Sequence, residues 1–325
     1  MDEFSMIETY FAPLAMGHEG VDGMRDDGAV LSVPAGYELV VSSDTLNEGV
    51  HFMIGESPDV IARKALRVNL SDMASMGADP LSYQLNIAFP RLPEVAWLEA
   101  FSAALIADNK RFGFFCSGGD TTSIKSDYLS ISITVLGCVP AGQAMRRSGA
   151  REGDVIVLSG ITGDSALGLK ILQEKPELAE NPLYKRSVER FHLPEPRVDF
   201  GRIVRGRVHA AADISDGLIA DCMHIARASG VGVRIDLGAL QFSDSVERAV
   251  ENGLICREDV VRGGDDYELI IAVSKGYVQQ LLEEAKEIDL EPMVIGEFCG
   301  KGLSFAENSS WSFRIDDFIH GWKHF

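Results

Sequence analysis

Asp72 is the residue in this chain that most needs a chemical explanation. It lies in residues 64–80, KALRVNLSDMASMGADP, which read as one helix. Helical spacing puts Ala65, Val68, Asn69, Ser75 and Met76 on its stripe, so the acid is flanked by small or apolar neighbours. No Lys or Arg stands three or four residues away. An ionised carboxylate on a buried face is costly unless compensated, so the cation must come from elsewhere in the fold or from a metal. Three further stretches offer company: Ser42-Ser43-Asp44, Gly118-Gly119-Asp120-Thr121-Thr122 and Asp213-Ile214-Ser215-Asp216-Gly217.

Hard cations such as Mg²⁺ take oxygen ligands, usually a few carboxylates with water and substrate phosphate. Asp27, Ser42, Ser43, Asp44, Asp72, Asp120, Asp213 and Asp216 supply that ligand type and almost nothing softer. Taken singly, each acid also has a structural explanation: Asp216 as the cap of a following helix, Asp44 in a turn, Asp26-Asp27 in a solvated loop. As a set they are harder to explain so, because acids gathered at strand ends repel each other without a cation. His51 has no second histidine at metal-ligand spacing, and Trp322 reads locally as packing.

Hydrophobic period supplies the elements that hold these residues. It predicts a short helix over 3–12, an ordered loop over 17–28 and a strand over 37–41, with residues 42–45 at its C-terminal end. Open sheets place their ligands at strand ends. The Asp72 helix closes at Gly77, a strand alternates over 81–89, and an amphipathic helix over 94–111 stops at Gly113. A strand over 114–117 runs into Gly118–Thr122, and another spans 129–135. In the second half, strands are expected at 154–158, 231–235 and 269–273, with helices at 165–172, 218–229 and 277–287 and a strand-end acid cluster at 211–217 ahead of the second of these helices. The glycine-bearing turn 159–164 reads either as a phosphate cradle or as an ordinary strand-to-helix connection.

A chain of 325 residues, 46% hydrophobic, buries a large core and suggests two domains, 1–140 and 141–325, both of α/β class. Its formal charge of -19 argues against nucleic acid or an anionic membrane as partner. Anionic substrates require metal ions or local arginines to reverse that sign. Five scattered cysteines, with no C-x-x-C pair, fit a reducing cytoplasm and no structural zinc. The acidic N-terminus does not read as a signal peptide, and no apolar run approaches the ~20 residues of a membrane span.

The ordered set Asp26-Asp27-Gly28-Ala29, Ser42-Ser43-Asp44-Thr45, His51-Phe52, residues 64–72, Gly118–Thr122, residues 214–218 and Gly264-Asp265-Asp266-Tyr267-Glu268-Leu269 closely resembles the thiamine-monophosphate kinase family. That family belongs to the ATP-binding superfamily of aminoimidazole ribonucleotide synthetase. The resemblance implies a two-domain α/β fold, with an N-terminal sheet domain forming a homodimer and a C-terminal α/β domain completing the nucleotide and substrate site. It implies Mg-dependent transfer of the γ-phosphoryl of ATP to thiamine monophosphate. Position by position, it makes Asp27, Ser42, Ser43, Asp44, Asp72, Asp120, Asp213 and Asp216 the Mg²⁺ ligands and Gly119, Asp120, Arg147 and Ser215 the ATP contacts. His51, Asp265 and Trp322 match positions near the substrate, and Asp72, Asp120 and Arg147 are the expected catalytic groups. Asp265 stands where the family more often has Glu. Selenophosphate synthetase, in the same superfamily, would need a reactive Cys or selenocysteine early in the chain, and residues 1–30 hold no Cys. A non-catalytic nucleotide or metal sensor is the alternative from another class. An acceptor phosphate with its second pKa near ~6 is already largely a dianion at neutral pH, so no general base is expected.

Overall fold

The computed structural model describes residues 3–306. They fall into two compact units, one of residues up to 73 with 78–142, the other of residues 74–77 with those from 143 onward.

The first unit opens with helix α1 (Glu3–Met6) and short turns of helix as far as Met24. Then follow β1 (Tyr37–Asn47), α2 (Pro58–Ser75), β2 (Asp79–Phe89), α3 (Val95–Phe112), β3 (Phe115–Ser123) and β4 (Ser130–Pro140). The strands form one sheet in the order β1-β4-β2-β3. Strand alternation gives it a buried face made by Val40, Leu46, Tyr83, Leu85, Ile87, Ile131, Ile133 and Val135. Trp97 of α3 packs edge-on against Phe89 at that face. The helix α3 ends where Gly113 takes φ +73° and returns its N–H to Asn109, the left-handed stop that glycine makes inexpensive.

Two expectations are corrected here. Ser42–Thr45 do not follow a strand: they lie inside β1, paired in register with Val135 to Ser132 of β4. Gly118–Thr122 likewise lie inside β3, paired in parallel with Gln84 to Ala88 of β2. Neither run carries apolar residues to mark it as strand, yet backbone pairing needs none. Gly119 shows what the pairing does need: a Cβ there would sit 1.8 Å from the Leu85 carbonyl oxygen.

The second unit has β5 (Val155–Leu158), α4 (Asp164–Glu174), α5 (Lys185–His192), α6 (Val198–Val204), β6 (Ala210–Asp213), α7 (Leu218–Ser229) and β7 (Val233–Ile235). It continues through α8 (Asp244–Glu251), α9 (Arg257–Arg262), β8 (Leu269–Val273), α10 (Val278–Lys286), β9 (Met293–Phe298) and β10 (Leu303–Phe305). Its six strands run β10-β7-β9-β5-β8-β6. The strands β5 and β8 and the edge strand β6 are buried along their whole length, as strands covered on both faces must be. Ile156, Leu158, Ala212 and Ile270 pack with Ile219, Cys222 and Ile225 of α7 in one core. Among the described residues no helix is long and apolar enough to cross a membrane.

Candidate active site

In the first unit the buried sheet face carries a polar seam. Ser42 and Asp44 point the same way as Val40 and Leu46, in register with Val135 and Ile133. The helix α2 supplies a partner to the Ser42 side chain and to the Asp44 backbone. Ser42 Oγ donates to Asp72 Oδ2 at 2.5 Å, and the Asp44 N–H donates to Asn69 Oδ1 at 3.1 Å. Asn69 is itself fixed, its amide donating to the Ala65 carbonyl at 2.9 Å. Asp72 is half-buried, as its stripe predicts; it pairs with Ser42, and Asp44 follows two residues on along the same strand face.

Ser43 belongs to the opposite face, where its Oγ donates to the Ile133 carbonyl at 3.1 Å and meets Thr134 Oγ1 at 3.0 Å. Asp120 is on that face too, in the row Thr45–Ser132–Asn86–Asp120 that register draws across the sheet. It is exposed and lines a cleft of about 320 Å³ with Asp26, Asp27, Gly118, Gly119, Gln84 and Asn86. The first-unit acids therefore form two groups, Ser42/Asp44/Asp72 and Asp27/Asp120. The edge strands β1 and β3 that carry Asp44 and Asp120 are three strand spacings apart, ~14 Å. Period-two alternation separates residues that the sequence places side by side. His51 lies in the loop after β1, half-buried, with Nδ1 accepting from the Asn47 N–H at 3.0 Å.

In the second unit, two loops are laced together. The Ile214 N–H donates to the Glu268 carbonyl, Tyr267 N–H to the Ile214 carbonyl and Asp265 N–H to the Ser215 carbonyl, at 2.9, 2.9 and 3.1 Å. Gly264 is required at this approach, since a Cβ would stand 2.0 Å from the Ser215 oxygen. Asp265 and Tyr267 both take left-handed backbone, φ +63° and +53°, and the Tyr267 hydroxyl donates to Asp265 Oδ1 at 2.9 Å. Non-glycine residues hold such angles only where their surroundings over-determine them. Here the surroundings are buried ion pairs. Glu268, fully buried, accepts from Ser159 Oγ at 2.5 Å, Arg190 at 2.7 Å and Arg197 Nε at 2.7 Å. The buried Asp266 carboxylate accepts from Gly163 N–H at 2.9 and 3.0 Å, and burial raises its pKa well above the usual range. That N–H is thus already used inside the fold, and the turn 159–164 is a strand-to-helix connection tied down by Asp266.

Asp213 ends β6, buried, and Ser215 and Asp216 follow it half-buried. Asp216 does not cap α7: the N-cap is Gly217, and no side chain caps it. The loop is held instead by Asp221, whose Oδ2 accepts from the N–H groups of Ser215 and Asp216 at 3.2 and 3.1 Å. Arg147 is exposed, and its charge acts on both Asp221 and His224. Trp322 lies outside the described residues.

The AIR synthase related protein N-terminal domain matches residues 25–139, and the corresponding C-terminal domain matches residues 151–306. Thiamine-monophosphate kinase of Salmonella typhimurium is 42% identical over 272 residues, 83% of this chain and 82% of that protein. The crystal structure of thiamine-monophosphate kinase from Stenotrophomonas maltophilia K279a superposes with a TM-score of 0.84 at 36% identity, covering 94% of this chain and 96% of that one. This chain belongs to the thiamine-monophosphate kinase family. A further structure, AaThiL complexed with AMPPCP and TMP, has a TM-score of 0.76 at 28% identity and covers 99% of this chain and 97% of that one.

Within this thiamine-monophosphate kinase-family chain, sequence reasoning left several residues of the site without a role. Asn69 fixes Asp44 and stood in the quoted motif, but an amide on a helix signals nothing by itself. Asp221 stands one turn into α7, five residues after Asp216, a spacing that reads as an ordinary helical acid. Glu268 meets Arg190 and Arg197 across 78 and 71 residues of sequence, a separation no local pattern reports.

Proposed function

We propose that this chain transfers the γ-phosphoryl of ATP directly to thiamine monophosphate, giving thiamine diphosphate, with Mg²⁺. The observation that carries the reading is the seam in which Ser42 bonds Asp72, with Asp44 beside it on the same strand face and tied by its backbone to Asn69 of the same helix. Its donors are all hard oxygens, the set Mg²⁺ takes, and the family's relatives bear the name of this reaction. Ser42, Asp44 and Asp72 would hold one part of the metal, Asp27 and Asp120 another on the opposite sheet face with Ser43, and Asp213 and Asp216 a third. Bound Mg²⁺ offsets the repulsion between two polyanions and the charge developing on the transferred group.

The chain's own residues do the rest. Ser42 orients the Asp72 carboxylate and Asn69 anchors the Asp44 backbone before any ligand arrives, which limits reorganisation during the reaction. Gly119, Asp120, Ser215 and Arg147 serve the nucleotide, and the Arg147 guanidinium adds positive charge in an acidic chain. Asp265 serves the acceptor, aimed by the backbone that Glu268 and Asp266 lock, with His51 and Trp322 as further acceptor contacts. No side chain need take a proton from an acceptor phosphate already ionised at neutral pH. A homodimer formed through the outer face of the first sheet, where Tyr37, Leu39 and Val41 are exposed in a row on β1, covers that apolar edge. Five free cysteines support a reducing cytoplasmic setting.

ADP release measured with ATP and Mg²⁺ tests the proposal. It should require thiamine monophosphate and be absent with free thiamine, whose bare hydroxyl offers the metals no charge. Equal release with either acceptor, or with none, would overturn it.

A further inference from the structure

The start of α7 carries two ligating side chains to which the reading above gives no ligand. Asp221 and His224 are three residues apart on the helix, and with Asp216 each offers one ligand atom, all within 4.8 Å of one another. Asp221 is fully buried, with 0% of its surface exposed. Its Oδ2 holds the loop, but its Oδ1 has no hydrogen-bond partner. An orphaned buried carboxylate oxygen is expensive, and a native fold keeps one where something else completes it. His224 Nε2 stands 3.9 Å from Asp216 Oδ2. The Asp216 and His224 side chains are 40% and 38% exposed, so two of the three ligands are open to solvent.

We infer that Asp216, Asp221 and His224 form a mixed nitrogen and oxygen site for a first-row divalent ion, Mn²⁺ or a heavier neighbour, in preference to Mg²⁺. The imidazole carries the preference, since Mg²⁺ favours oxygen and the later ions accept nitrogen. Ligand atoms opposite each other on such an ion lie ~4.2 Å apart, twice a bond of ~2.1 Å. Small rotations of the two half-exposed side chains close the remaining gap. The site touches the proposed Mg²⁺ ligands through Asp216, and it rests on that reading only for its neighbourhood, because binding here requires neither nucleotide nor acceptor.

The test uses the full chain without nucleotide, loaded with one equivalent of Mn²⁺ and examined by pulsed electron paramagnetic resonance. Modulation from a coordinated imidazole nitrogen is expected in the parent and in His51→Asn, and absent in His224→Gln. Asp221→Asn keeps an oxygen to accept from Ser215 and Asp216 while removing the charge, so it isolates ligation from loop-holding. It should weaken Mn²⁺ at least ~10-fold, the loss that even outer-shell changes produce. If His224→Gln does not fold, Mn²⁺ should instead broaden one histidine ring resonance of the parent selectively. No nitrogen modulation, modulation that survives His224→Gln, or parental Mn²⁺ affinity in Asp221→Asn each overturns the site. Kinase turnover is read on the same samples: an active kinase without modulation overturns this inference alone, and modulation in a chain without kinase activity supports it while sinking the proposed function.

Discussion

Asp72→Asn separates the metal-holding account of the seam from a purely structural one. The asparagine keeps the size and one oxygen that accepts from Ser42, so the 2.5 Å contact survives as a neutral hydrogen bond. A charge-assisted bond contributes about 1.5–3 kcal/mol and a neutral one about 0.5–1.5, so the metal-free fold should lose about 1 kcal/mol. For a chain of 325 residues that is a fall of roughly 1–2 °C in melting temperature. Turnover should fall far more, by ~10² or beyond, because a metal clamp on the transferred group acts in the transition state and each ~1.4 kcal/mol is tenfold. Melts in chelator and initial rates in Mg²⁺, run on parent and variant, supply both quantities. If Asp72 instead serves to neutralise a buried cation, its loss costs about 3–5 kcal/mol without metal. A melt depressed by that much in chelator, or a variant with parental turnover, would refute the reasoning.

Gly119→Ala should cost about 3 kcal/mol or abolish folding, because the new Cβ meets the Leu85 oxygen at 1.8 Å; a urea midpoint within 1 kcal/mol of the parent would contradict the pairing drawn for β3. Light scattering should give the parent twice the 35.4 kDa chain mass and give Leu39→Lys/Val41→Lys a single chain; a monomeric parent removes the proposed dimer face. Asp266, with its pKa raised by burial, keeps its proton when folded at pH values where the unfolded chain has lost it. Its contribution is therefore present below the usual carboxylate value near ~4 and is lost as pH rises above it, so Asp266→Asn should gain on the parent between pH 5 and 8 in denaturant midpoints. Parallel stability curves would show that Asp266 ionises freely.

Elements with a clear period or a strong stop were legible in the sequence. Gly217 and Gly230 bracket α7 as predicted, and β8 begins at Leu269, where the apolar run does. Ser42–Thr45 and Gly118–Thr122 were read as lying beyond strands because they lack apolar side chains, whereas ladder pairing continues through them. That error hid the division of the first-unit acids between the two sheet faces. The helices α5, α6, α8 and α9 are six to eight residues long, shorter than the window of 11–18 residues over which a helical period can be read. Motif residues announced themselves by type, but the side chains that aim them, Asn69, Asp221 and Glu268, became visible only through tertiary contact.

The central claim is direct transfer of one phosphoryl group between two small molecules. ATP labelled at the γ-phosphate, incubated with the protein, Mg²⁺ and thiamine monophosphate, reports where that group goes. The label should appear in the terminal phosphate of thiamine diphosphate, in step with ADP release, with none retained on the protein. Label recovered as inorganic phosphate or on the protein, without labelled thiamine diphosphate, would contradict the account.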